Sequence, residues 1–117
     1  MRISDRIRKI ESAARRYAFI RRVVKVDETY YSVKYRLHVA PDLFVQLYFN
    51  ERSGTVGLVL VHHRQRIYGR DCEAGRWHRH PVDDPDMHDT SPEGARTVKV
   101  EEFLAEVQDI LVKANLV

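Results

Sequence analysis

Arg76-Trp77-His78-Arg79-His80-Pro81 and the stretch behind it, with Asp83, Asp84, Asp86, His88 and Asp89, hold three of the chain's six histidines. Imidazole, guanidinium and carboxylate groups are the side chains that ligate metals and move protons near neutral pH. On an extended segment, His78 and His80 project from one face and Trp77 and Arg79 from the other, because strand side chains alternate. Three chemistries fit. His78 and His80, completed by His88, could ligate a divalent metal such as zinc. With no cofactor at all, His78 and His80 could serve as general base and general acid on a phosphodiester, with Arg79 or Arg76 stabilising the developing charge. Or the same groups simply pin a long loop to a sheet. Burying so many polar groups would demand a complete hydrogen-bond network, so the cluster is expected to line a solvent-accessible pocket.

Other positions carry less. His62-His63 reads as the polar end of a hairpin. Gly69, inside Tyr68-Gly69-Arg70-Asp71, weakens a strand unless a bulge or a close approach requires the missing side chain. The lone cysteine, Cys72, is expected to pack as a small hydrophobe.

The elements that must position these residues follow from periodicity. Ile3, Ile7, Ile10, Ala14 and Tyr17 recur at helical spacing and predict a helix over about 4–20, with Ser4 as its N-cap. Residues 23–80 are rich in Val, Tyr and Thr, with turn signals at Pro41-Asp42, Ser53-Gly54, Arg64-Gln65 and Ala74-Gly75. This predicts an antiparallel meander of four to six strands, the second opening at Thr29. Val56 to Val61 is apolar at consecutive positions apart from Gly57, which predicts cover on both faces of the sheet. A loop rich in proline and aspartate follows from about 81 to 97. Val100, Phe103, Leu104, Val107, Ile110, Leu111 and Ala114 then predict an amphipathic helix over about 100–114, opened by Lys99, a poor cap. The fold class is α+β, one domain, with both terminal helices packed on the sheet.

With 117 residues the chain suits one domain, and its 44% hydrophobic and 32% charged residues suit a globular one. No apolar run is long enough to span a membrane, and no signal peptide opens the sequence, so a cytoplasmic protein without disulfides is expected. The net charge of +3 hides a gradient, from +7 over residues 1–25 through +2 over residues 26–82 to −6 over residues 83–117. Arg6, Arg8, Lys9, Arg15 and Arg16 on the first helix therefore suggest affinity for RNA backbone. The plainer alternative is that the basic and acidic helices lie side by side. The doubly covered strand also suggests a homodimer or a partner-protein surface.

From about residue 20 to 115 the sequence resembles the TumE-like family of small prokaryotic proteins. The likeness is carried by Trp77, His78, His80, Pro81 and His88 in "RIYGRDCEAGRWHRHP" and "DDPDMHD", followed by "VKVEEFLAEVQDIL". Relatives often read His-His-Pro where this chain reads His-Arg-His-Pro. The resemblance implies the toxin component of a toxin–antitoxin pair, with a cognate antitoxin as partner and RNA as a target. The residues themselves leave two alternatives, a non-enzymatic interaction module and a His/Asp metal-binding protein.

Overall fold

Between the helices the chain alternates apolar and polar side chains in short stretches bounded by turns, and each stretch becomes a strand. The computed structural model describes every residue, Met1–Val117. The elements are α1 (Ile3–Arg15), β1 (Arg22–Glu28), β2 (Ser32–Ala40), β3 (Leu43–Asn50), β4 (Val56–His62), β5 (Gln65–Glu73), β6 (Arg76–His80) and α2 (Val100–Lys113). The strands form one antiparallel sheet in the order β1-β2-β3-β4-β5-β6, the expected meander at its upper limit of six. No helix is long and apolar enough to cross a membrane.

Both helices lie on the same side of this sheet. Tyr35 and Leu37 of β2, Val45 and Leu47 of β3, and Leu58 and Leu60 of β4 are buried with Ile10 and Ala13 of α1 and Phe103, Leu104, Val107 and Leu111 of α2. Each large apolar side chain buried here contributes about 1.5–3 kcal/mol, which is what holds the two layers together. The expectation that β4 is covered on both faces is corrected. Leu58 and Leu60 are buried, whereas Val59 and Val61 on the opposite face remain partly exposed. An apolar run in the sequence reports side chains tolerant of burial, and here two helices supply only one layer.

Three local expectations also change. The first helix ends at Arg15, five residues early, because Tyr17, Phe19 and Ile20 leave the helix to pack against the core in a turn where the Ile20 amide donates to the Tyr17 carbonyl. Arg2, not Ser4, occupies its N-cap, an arrangement that lets Ile3 be buried. Thr29 belongs to the β1–β2 turn, where its hydroxyl accepts the Ser32 amide at 3.0 Å, so β2 begins at Ser32. At α2 the weak cap at Lys99 is rescued by Glu102, whose carboxylate accepts the Lys99 amide at 2.8 Å. β1 forms one edge of the sheet and carries a register shift between Lys25 and Asp27. Cys72 is buried, as expected, and burial pushes its thiol up.

One charged residue lies inside the core. Arg70 of β5 has no solvent exposure and donates to both carboxylate oxygens of Glu106 on α2, at 3.1 and 2.6 Å. It also donates to the Glu93 carbonyl at 2.7 Å and to the Glu93 carboxylate at 2.9 Å. Tyr68 donates to Glu106 at 2.9 Å, and burial pushes its phenol up to about 12. Arg70→Ala would leave the Glu93 carbonyl without its side-chain donor and Glu106 with only Tyr68 and Arg96. Urea denaturation should show a loss of about 3 kcal/mol, the lower end for a broken buried pair because both glutamates are partly exposed. An unchanged midpoint would show that this network carries no stability.

Candidate functional site

The three histidines meet at the far edge of the sheet, on the face the helices leave uncovered. Register puts Gly69 opposite His80 and Asp71 opposite His78, so β5 and β6 present Asp71, His78 and His80 on one surface. His88 arrives from the loop. The Arg79 and Asp89 backbones exchange hydrogen bonds of 3.0 and 2.8 Å, an isolated antiparallel bridge on the outer edge of β6. Alternation at that bridge sends Asp89 toward Arg79 on one side and His88 toward His78 and His80 on the other. The three ring centroids lie 4.8–5.0 Å apart. One ligating nitrogen from each ring falls within 4.8 Å of the others.

Hydrogen bonds fix the most buried member. His80 is 2% exposed, and its Nδ1 lies 2.9 Å from the Pro85 carbonyl. A carbonyl can only accept, so Nδ1 carries the proton and the free nitrogen is Nε2. That Nε2 is 3.2 Å from Asp71 Oδ2, and His78 Nε2 is 3.5 Å from the same oxygen. Burial, reinforced by the nearby Arg66 guanidinium, lowers the His80 pKa and favours its neutral form. Neutral His80 directs a lone pair at a carboxylate oxygen, an arrangement that a cation between them relieves.

The other expected residues separate. Arg79 turns to the helix side and donates to Asp89 Oδ2 at 2.9 and 2.6 Å, so it does not face the imidazoles. Arg76 is exposed at the start of β6. The expectation that His78, His80 and the adjoining arginines line an accessible pocket is corrected at His80, which is buried, while His78 is half-buried and His88 exposed. The hydrogen-bond requirement of His80 is met by Pro85 and Asp71, the network that burial demands. On α1, Arg6 pairs with Glu51 at 2.7 Å, Arg16 with Glu101 at 3.1 Å, and Arg8 with Asp5. One pair, Arg16 with Glu101, joins the basic segment to α2, and Arg6 reaches the β3–β4 turn, while Lys9 and Arg15 keep their charge unpaired.

Three members of the site lay outside the sequence reading of its chemistry. Asp71, in the strand before, is the carboxylate both imidazoles share. Arg66 reaches along the sheet beside His80, and its Nε is buried with no hydrogen-bond partner. Pro85 contributes its carbonyl. Gly69 gave the one usable signal. A Cβ there would press on the Leu58 carbonyl at 3.2 Å and touch Arg66 Cδ and the His80 ring at ordinary contact distances of 3.5 and 3.7 Å, so the missing side chain serves the close approach of β4.

Comparison of the chain with protein-family models, with curated proteins and with solved structures finds no significant match.

The loop that delivers His88 is held by charge. Two hydrogen bonds from Ser91, then Arg79, bring the Asp89 carboxyl down to about 2. Arg96 and then Arg70 do the same for Glu93, also to about 2. Each group binds its proton more weakly folded than unfolded, so its contribution is complete above about pH 4.5 and is lost as the pH falls toward 2. Amide exchange at Arg79 and Asp89 should stay protected from pH 7 to about 4.5 and accelerate below it. Protection that persists at pH 2 would mean that the bridge stands without these charges. Gly94 packs directly on the Asp89 backbone, where a Cβ would clash with the Asp89 carbonyl. Gly94→Ala should therefore release the loop at neutral pH, read by the same amides, while the sheet amides stay protected.

Proposed function

We propose that this protein binds a divalent transition metal of the zinc class through His78, His80 and His88. The observation that carries this reading is the convergence of three imidazole nitrogens within 4.8 Å of one another. Tetrahedral zinc with bonds of about 2.0–2.1 Å needs ligand nitrogens about 3.3 Å apart, so the rings close inward by about 1.5 Å at most. The exposed His88 and half-buried His78 can make that movement while His80 stays fixed. Donation from His80 Nδ1 to a carbonyl is the support that ligating histidines ordinarily have, since it fixes the tautomer and aims Nε2. Asp71, against two of the rings, would orient them or add an oxygen ligand. Three histidines on a partly open surface leave a coordination position for water, the arrangement of catalytic zinc sites.

A second reading keeps the resemblance to toxin components and uses no metal. In it His78 and His80 share the protons of phosphodiester cleavage, an assignment favoured by their common contact with Asp71. Arg66 beside His80 would supply the positive charge in place of Arg79. The protein would then slow growth when induced and be neutralised by an antitoxin.

Calorimetric titration of EDTA-dialysed protein with zinc separates the two. One equivalent should bind, and binding at 100 times the dissociation constant should add about 2.7 kcal/mol to unfolding stability. His80→Ala and His88→Ala should abolish it, and Asp71→Ala should weaken it by about 10- to 100-fold. No uptake of zinc, cobalt or nickel by well-folded protein would end the metal reading. Growth arrest that needs His78 and His80 and persists in the metal-free protein would establish the second.

A further inference from the structure

The uncovered face of the sheet carries more than the histidines. Three cross-strand rows run over it. The first is Arg22, His38, Phe44, Val61 and Arg66. The second is Val24, Arg36, Gln46, Val59, Gly69 and His80. The third is Asp27, Lys34, Tyr48, Gly57, Asp71 and His78. Cations and aromatic rings are interleaved. The Arg36 guanidinium sits 4.8 Å from the Phe44 ring centre, and Lys34 Nζ sits 5.9 Å from that of Tyr48. His38 and Phe44 have centroids 5.1 Å apart.

Most of these cations, like Lys9 and Arg15 of α1, have no carboxylate partner, and unlike those two, Lys34 and Arg36 stand over aromatic rings. Arg22, Lys34 and Arg36 form no ion pair with any carboxylate, and the side-chain partner of Arg36 is the neutral Gln46, at 3.1 Å. Arg66 has only Asp86, at 4.0 Å. The face therefore holds four basic residues against Asp27 and Asp71, and Asp71 is already turned to the histidines. A groove of about 570 Å³ opens between Arg36, Phe44, Gln46, Val61 and Arg64, with Asp42, whose carboxylate lies 2.7 Å from His63, also in its wall.

We propose that this face binds single-stranded nucleic acid, RNA in the first instance, with bases stacked on Phe44 and Tyr48 and phosphates on Lys34, Arg36 and Arg66. Charge complementarity selects a polyanion. The half-buried rings of Phe44 and Tyr48 select one whose bases are unpaired, because stacked bases in a duplex offer no π-face to a sheet. A protein partner of matching apolar surface fits less well, since the apolar groups here are broken up by unpaired cations, which are costly to desolvate. The second and third rows end on His80 and His78, so a strand crossing the sheet along them passes the histidine cluster. Binding itself needs no metal, and the proposal is independent of the zinc reading.

Fluorescence anisotropy of an end-labelled single-stranded RNA of about 12 nucleotides, in EDTA and with the full chain, tests it. Arg36→Gln and Phe44→Leu should each weaken binding about fivefold or more, and the first should flatten the log–log salt dependence by about 0.7. Phe44→Leu keeps the apolar volume, and both variants should keep the wild-type melting temperature. Lys9 and Arg15 changed together to alanine should leave affinity within about twofold, since the site is not on α1. The proposal is overturned by absence of binding at about 100 μM protein. It is equally overturned if both sheet variants bind like wild type, or if a blunt duplex of the same sequence binds as tightly. Sedimentation velocity supplies a last outcome. A dimer that dissociates on Phe44→Glu would assign the face to a second copy of the chain and overturn the proposal as well.

Discussion

A guanidinium removed from water needs carboxylates and carbonyls at set distances, and Arg70 imposes that need on three separate parts of the chain. It sits on β5, takes Glu106 from α2, and takes both the carbonyl and the side chain of Glu93 from the segment that leads into α2. Apolar packing seats α2 on the sheet through close-packed side chains, an attraction without direction. The ion pairs are directional. They fix where α2 rests, and through Glu93 they fix the end of the loop whose other end must place His88. Arg96 extends the same network to Glu93, Glu102 and Glu106.

The second constraint is that the helices share one face. The core is complete on that side, with Leu37, Val45, Leu47, Leu58 and Leu60 fully buried. Everything chemical is on the other: Asp71, His78 and His80 in the strands, His88 from the loop, and the rows of cations and rings beside them. The division follows from period two. A strand residue cannot serve both faces, so the sequence that builds the core on even or odd positions leaves the alternate positions to meet solvent and ligands.

Element order, strand count and the β5–β6 hairpin were legible because turn residues stand between runs of β-forming side chains. Ala74-Gly75 forms its turn with φ of 50° and 76°, and that turn sets the register that pairs Asp71 with His78. The histidines were legible as a group from density and from the His-x-His spacing. Asp71 was not, because it contributes through strand register and not through proximity in sequence. Nor was Arg66, whose partner in the site lies 14 positions away at His80. Nor were the partners of Arg6 and Arg16 legible, since a sequence shows charges without their partners: Glu51 and Glu101 meet them across long stretches of chain. Doubly covered β4 failed for a similar reason. Composition states what a face can tolerate, and only the packing states what it meets.

The two borders of the sheet are finished differently. On β6 the Asp89 bridge occupies the outer hydrogen-bonding groups of Arg79, and the loop lies over that border. β1 has no such cover, and its outer backbone amides and carbonyls face water. A bare border is where a sheet can recruit a foreign strand and grow without limit. Here the register shift between Lys25 and Asp27 breaks the straight run of donors and acceptors, and Arg22, Lys25, Asp27 and Glu28 crowd it with charge. A strand arriving at β1 must desolvate those groups in a mismatched register. The irregularity in the first strand is thus a stop placed on polymerisation, at the border that no loop covers.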